Sequence, residues 1–363
     1  MDPRIREHAE TVVEHSTDVE SGDNVVISAP SVAEELAVAL HEAVGDRGAT
    51  PIHLANDSRA QRAYLRATEA EELETPTHAK ALYEESDVLI RVRADANATE
   101  QSDVPPEKQA AHSKANQPVQ EVALSKRWCL TQFPSPANAQ LAGMSTDGYE
   151  NFVWDAINKD WDAQREHQSR MVEVLDPASE VRVKSGDTTD VTMSIDGMKT
   201  INDYAEKNLP GGEVFTAPVV DSVDGEVRFD LPLYHQGREI TDAHLVFEDG
   251  EVIDHAAEQN EALLTEVLNT DPGASRLGEL GIGMNRDIDR FSYNMLFDEK
   301  MGDTVHMAVG RAYDECVGED RVANESAVHV DMIVDMSEDS FIEVDGEVVQ
   351  RNGTFRFEEG FES

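Results

Sequence analysis

Apolar positions follow helical and then extended rhythms along the first half of the chain. Residues 3–17 set Ile5, Ala9, Val12 and Val13 at helical spacing, which predicts an amphipathic helix. The run "DNVVISAP" (23–30) then reads as a short apolar strand, and "SVAEELAVALHEAVGDRG" (31–48) as a helix. Ser31 is its expected N-cap, with Glu34 as the capping-box partner and Gly45 or Gly48 near its end. "ATPIHLAND" (49–57) and "SDVLIRVRA" (86–94) read as further strands, separated by an acidic helical stretch. Residues 95–120 are polar, with Pro105–Pro106 suggesting a loop into a helix, and 126–145 hold a strand before a proline-rich turn. One long helix is expected over 146–176, capped by Thr146 or Asp147, with Phe152, Ala156, Trp161 and Val172 inward. Strand–helix–strand order predicts an α/β domain with a mainly parallel sheet. The turn after the first strand, "SAPS", is not a glycine-rich phosphate loop.

From about residue 180 the rhythm changes to period two. Hairpins are expected around Ser185–Gly186–Asp187, His235–Gln236–Gly237, Glu248–Asp249–Gly250 and Asp345–Gly346. A helix over 260–274 is expected to end at Asp-Pro-Gly. The expected class is therefore α/β and α+β: an N-terminal α/β domain (1–179) and a C-terminal β-rich, metal-binding catalytic domain (180–363), with the boundary near 177–181. No internal repeat is evident.

Four apolar segments of the second half carry polar groups where none is expected. "LPGGEVFTAP" holds Glu213 behind two glycines, "RLGELGIGMN" holds Glu279, "FDEKMGDTVHMAVGRAY" holds His306, and "ESAVHVDMIVD" holds His329 and Asp331. In the last, Val328, Val330 and Met332 share one face of a strand, so His329 and Asp331 share the other. A buried ion needs compensation. A basic partner is one solution, with Lys300, Arg286 and Arg311 near at hand; a divalent cation is the other. Five N/O ligands exceed the needs of one tetrahedral zinc and suit two cations that activate a water for hydrolysis. Without a cysteine in the set, Zn, Co or Mn is expected. His235, His244 and His255 have no such spacing and read as surface or structural residues, and Trp128, Trp154 and Trp161 as core or interface.

Charge changes the picture of the surroundings. With 74 Asp and Glu against 30 Lys and Arg, the formal net charge is −44, spread along the whole chain. On a patterned chain this suggests a high-salt cytoplasm, where screening offsets self-repulsion. It argues against nucleic acid or an anionic membrane as partner. No run approaches the length of a membrane helix, and the acidic N-terminus lacks the apolar region of a signal peptide. Two cysteines, Cys129 and Cys316, fit a reduced, cytoplasmic protein, with Cys316 an apolar filler.

The segments "NLPGGEVFTAP", "GELGIGMN", "FDEKMGDTVHMAVGRAY" and "NESAVHVDMIVDM" resemble, in order, those of the thermophilic metallo-aminopeptidases, peptidase family M29. "FPSPANAQLAGMSTDGYENFVWDA" resembles a family segment of the first half. The resemblance implies a cytoplasmic, homodimeric exopeptidase that uses two divalent metal ions, zinc or cobalt, on short peptides with a free N-terminus. It places the metal ligands on Glu213, Glu279, His306, His329 and Asp331, and a catalytic tyrosine on Tyr313. Glu279 is the expected bridge. Glu299 either completes the ligand shell, acts as general base, or pairs with Lys300 or Arg311. Tyr313 is expected to stabilise an oxyanion. Arg311 orients a carboxylate, binds substrate or lies on the surface; Gly211 and Gly212 give backbone access to the metals or make a tight turn. The alternatives are a two-metal hydrolase of another amide or of a phosphoester, and a non-catalytic metal-binding protein. Few basic groups are available for a phosphoester.

Overall fold

An apolar run without polar alternation needs cover on both faces, and this shapes the first part of the computed structural model, which describes residues 1–235 and 238–361. By contact density the chain forms two compact units: Met1–Lys159 with Ala205–Gly211, and Asp160–Tyr204 with Gly212–Ser363. In the first unit the strands Thr50–Ala55, Asn24–Ala29, Val88–Arg93, Arg127–Gln132 and the short Asn208–Leu209 lie in that order, all parallel. Val25, Val26 and Ile27 of the second of these strands are all buried. Ala123 of helix Pro106–Leu124 packs with Val26 and Leu89, and helix Glu34–Asp46 also packs on the sheet.

Several local details differ from expectation. Ser31 and Glu34 form no capping box. Ser31 opens a 3-10 turn, and its N–H and hydroxyl donate to Asp57 at 3.1 and 2.8 Å. A carboxylate from the end of the next strand thus holds the loop where a nucleotide fold would seat phosphate. The long helix is two helices, Thr146–Ile157 and Trp161–Leu175, because Asp160 caps the second by accepting from the Ala163 N–H. Ser145, not Thr146 or Asp147, caps the first. The helix expected over 260–274 spans Glu261–Leu268 and stops before Asp271-Pro272-Gly273.

The second unit holds an eight-stranded antiparallel sheet and a five-stranded one. The five-stranded sheet runs His329–Asp335, Thr304–Gly310, Leu277–Gly283, Glu213–Thr216, Ile201–Asp203. Its Val214, Leu280, Ile282, Val305, Met307, Val309, Val330 and Met332 share one core with Val181, Val183, Val191, Met193, Val227 and Leu245 of the larger sheet. That core occupies one face of the four longer strands of this sheet, so alternate residues must project from the other. The expected hairpins at Ser185–Asp187, Glu248–Gly250 and Asp345–Gly346 are present. Leu233–His235 pairs antiparallel with Arg238–Ile240; of that expected turn, Gln236 and Gly237 lie outside the described residues. Strand Leu277–Gly283 carries a β-bulge: Leu277 pairs with Val309 but Glu279 with Ala308.

His8 of the first helix is fully buried, with Nε2 2.7 Å from the Thr131 hydroxyl. Burial pushes its imidazole down from 6.5 to about 3. Its folded pKa lies below the unfolded one, so only the unfolded chain takes up a proton between those values, and stability falls as pH drops below about 6.5. The loss is about 1.4 kcal/mol per pH unit. His8→Leu leaves Thr131 unpaired and costs about 1 kcal/mol at neutral pH. Urea titrations at a series of pH values are expected to show the gap between variant and wild type closing near pH 6 and reversing by pH 5; a constant gap refutes the assignment.

Candidate metal centre

The polar face of the five-stranded sheet gathers the five residues singled out in the sequence. Strand register does this: Glu279, Ala308 and Asp331 lie in one row across three strands, and Gly281 and His306 in the next. Glu213 pairs with Gly283 at the start of its own strand, and His329 with Gly310. His306 Nε2 lies 3.0 Å from Glu279 Oε1 and 3.2 Å from Glu213 Oε2. His329 Nε2 lies 3.2 Å from Asp331 Oδ1 and 3.9 Å from Glu279 Oε2. Two groups therefore form, Glu213–Glu279–His306 and Glu279–His329–Asp331, each with ligand atoms within 4.8 Å of one another. Glu279 belongs to both. The first group is buried and the second half-buried.

The imidazole over Gly281 explains that glycine. A Cβ there would sit 2.0 Å from His306 Nε2. Gly212, at φ +120°, has a different reason: its missing Cβ would stand 2.4 Å from the Cβ of Asn285. Its N–H donates to the Asp203 carbonyl and its carbonyl accepts from the Met284 N–H, both at 2.7 Å. The glycine thus lets two backbone segments meet. Gln168, fully buried, donates to the carbonyls of Glu213 and Asp203 at 2.9 and 3.0 Å and so anchors the start of the Glu213 strand.

Electrostatics show what the site lacks. Burial pushes the Glu213 and Glu279 carboxyls up from the ordinary range, against the pull of Lys300 on the first and His306 on the second. Burial also opposes charge on both imidazoles, yet the carboxylates win. Glu279 and Glu213 lift His306 to about 9, and Asp331 and Glu279 lift His329 to about 10. Protons on the imidazoles thus stand where positive charge is needed. Even so, Glu213 Oε2, Glu279 Oε2, Asp331 Oδ1 and His306 Nδ1 are buried without a hydrogen bond. His329 Nδ1 lies 2.8 Å from the Arg311 carbonyl, so Nδ1–H donates, and in the neutral ring Nε2 keeps its lone pair towards Glu279 and Asp331. Orphaned carboxylate oxygens beside two imidazoles, without a thiolate, fit hard or borderline divalent cations.

The remaining candidates lie around these groups. The Tyr313 ring stands 4.8 Å from that of His329 and 6.1 Å from that of Phe215, with 43 % of the residue exposed. Partial burial and the charges of Glu279, Asp331, Glu299 and Glu213 hold its phenol above the ordinary value, so it stays an O–H donor. Glu299 follows the one-turn helix Met295–Asp298 and is ion-paired with Lys300, not Arg311. Arg311 is exposed, with Asp314 at 3.8 Å, and only its carbonyl serves the site. Cys316 is buried with Met198, Phe215, Ala217 and Ala312. His244 pairs with Glu226 at 3.1 Å and His255 meets Thr265 at 2.7 Å; among the described residues neither joins a metal-ligating group. Lys300, one of the basic partners expected near these segments, is wholly buried, with Glu213 Oε1 at 3.0 Å, Asp203 Oδ2 at 3.8 Å and Glu299 in direct contact.

The family model described as thermophilic metalloprotease (M29) matches residues 1–355. The chain belongs to this family. It is 27 % identical to Aminopeptidase 2 of Geobacillus stearothermophilus, with 98 % of each chain covered. The solved structure of wild-type AmpT from Thermus thermophilus superposes with a TM-score of 0.87 at 25 % identity, over 97 % of this chain and 99 % of that one. A 2,5-dihydroxypyridine dioxygenase from Pseudomonas putida shares the fold at 14 % identity and TM-score 0.61, covering 98 % of this chain and 97 % of the other. The fold alone therefore does not define the M29 chemistry; the side chains on its polar face must.

Gly281→Ala is expected to push the His306 ring off Glu279 while sparing the core face. Calorimetric titration with Co²⁺ should then show affinity at least about tenfold weaker, the loss typical of disturbing a ligand's support. Unchanged affinity counts against His306 as a ligand.

Proposed function

We propose that this chain removes N-terminal residues from peptides with two divalent cations, one held by Glu213, Glu279 and His306 and the other by Glu279, His329 and Asp331. The chain is an M29 metallo-aminopeptidase. What supports the two-cation form is the position of Glu279, common to both ligand groups and with Oε2 buried and unsatisfied. When bound, such cations polarise a scissile carbonyl and lower the pKa of a water to near neutrality. The protein's own groups supply the rest. Glu299, held through Oε1 by Lys300, serves as general base through its other oxygen. The neutral Tyr313 hydroxyl donates to the developing oxyanion. The surplus of carboxylates suits the α-ammonium of a peptide N-terminus and disfavours a phosphoester. An N/O ligand set points to zinc, cobalt or manganese.

Leucine p-nitroanilide should be cleaved in high KCl, the activity abolished by a chelator and restored by Zn²⁺, Co²⁺ or Mn²⁺, while an N-acetylated peptide stays intact. Tyr313→Phe should lower kcat about a hundredfold or more with KM little changed, as loss of one oxyanion donor does. Equal inactivity of chelated and metal-restored protein on all free peptides refutes the assignment.

We further propose a cytoplasmic homodimer adapted to high salt. The salt adaptation is supported by the net charge of −44 spread over the chain, and the cytoplasmic dimer by the resemblance to the family. The screening length shrinks from about 10 Å at 0.1 M salt to about 3 Å at 1 M. The thermal midpoint should therefore rise with KCl across this range, and sedimentation in the same series should give twice the monomer mass. A midpoint indifferent to salt, or a monomer throughout, refutes the corresponding part.

A further inference from the structure

Among the described residues, Lys300 is the largest charged side chain that is fully buried. It lies beside the proposed metal centre without touching solvent. Its Nζ stands 3.0 Å from Glu213 Oε1, contacts Glu299 Oε1, and lies 3.8 Å from Asp203 Oδ2. The other oxygen of Glu213, Oε2, points to His306 Nε2 at 3.2 Å and has no hydrogen bond. One carboxylate thus has two faces, one closed by an ammonium and one open towards the ligand group. The buried backbone around it is fixed: Gln168 anchors the Glu213 carbonyl, and Asn285 N–H donates to the Lys300 carbonyl at 3.0 Å.

We infer that Lys300 is a positioning residue that makes Glu213 a single-oxygen ligand and weakens the centre's grip on its cations. This rests on the two-cation reading above. The argument is electrostatic and geometric. A fixed positive charge one carboxylate away from a cation repels it, and in a dry site that repulsion is weakly screened. An ammonium bonded to Oε1 also prevents Glu213 from chelating through both oxygens. The same ammonium aims Glu299, so Lys300 couples the orientation of the proposed base to that of a proposed ligand. Lysine suits this task because its compact charge and rotatable donors can meet carboxylates arriving from different segments.

Purely structural damage and loss of a counter-charge move cation binding in opposite directions. Full-length Lys300→Met keeps the aliphatic stem and removes the charge. Titration with Co²⁺, followed by calorimetry and visible absorption, should show binding about tenfold or more tighter than wild type. The absorption bands should also change as Glu213 gains a second coordinating oxygen. Glu299→Gln, which leaves the Lys300 charge less balanced, should bind Co²⁺ more weakly, and the double variant should return towards wild type. Lys300→Arg, which keeps the charge, should retain near-wild-type affinity. Unchanged or weaker binding by Lys300→Met overturns the role. If that variant does not fold, unchanged or tighter binding by Glu299→Gln overturns it instead. Absence of Co²⁺ uptake by wild type refutes the metal centre itself, a result distinct from wild-type uptake with an indifferent Lys300→Met.

Discussion

The second unit is organised around an electrostatic problem: carboxylates held against imidazoles in a site that is buried at one group and half-buried at the other. Isolated ions at such depth are costly, and a protein tolerates them only with compensating charge. Here the compensation in the polypeptide is incomplete. His306 and His329 take protons they would ordinarily release near neutral pH, Lys300 takes up one oxygen of Glu213, and buried oxygens are still left over. The apolar core behind the sheet makes this arrangement tenable. Val305, Met307, Val330 and Met332 fix the strands from the opposite face, so the polar groups cannot relax by turning into solvent. In an M29 metallopeptidase this tension is what a cation relieves, so binding energy and folding energy are partly the same quantity.

Much of this was legible because period two is a local property. Wherever a strand reads apolar on one parity, its other parity is assigned, and His329 with Asp331 could be placed together from the residues alone. The parallel sheet of the first unit was legible for the same reason, from contiguous apolar runs between helices. Interactions between distant segments were not. Asp57 takes the Ser31 N–H from a loop 26 residues on, and no local pattern announces that a carboxylate from elsewhere will displace the capping box. Lys300 shows the limit more clearly. The residues alone offered Lys300 as one of three possible basic partners, and only the folded chain places it against Glu213, Asp203 and Glu299. The break at Asp160, by contrast, had a local signal, an aspartate directly before an apolar helical turn, which the strength of the surrounding helical pattern outweighed.

The fold itself sits at a more general level than the chemistry. The same architecture occurs in a dioxygenase, so the sheet is a scaffold that presents side chains and not a mechanism. What distinguishes this chain is which residues occupy the polar parity of the central strands, and which glycine gives the His306 ring its space.

The bulge in strand Leu277–Gly283 carries a consequence of its own. Leu277 and Glu279 are two apart, so in a regular strand both would face the same way. Leu277 nevertheless lies in the apolar core while Glu279 contacts His306 on the other face. The slip between them, with Gly278 so close to the Gly310 carbonyl that a Cβ would fall 2.4 Å from it, reverses the parity of the strand at that point. One strand therefore speaks two phases. Its entry is keyed to the hydrophobic core, its exit to the candidate metal ligands, and a single residue of length separates a strand that hides its glutamate from one that presents it.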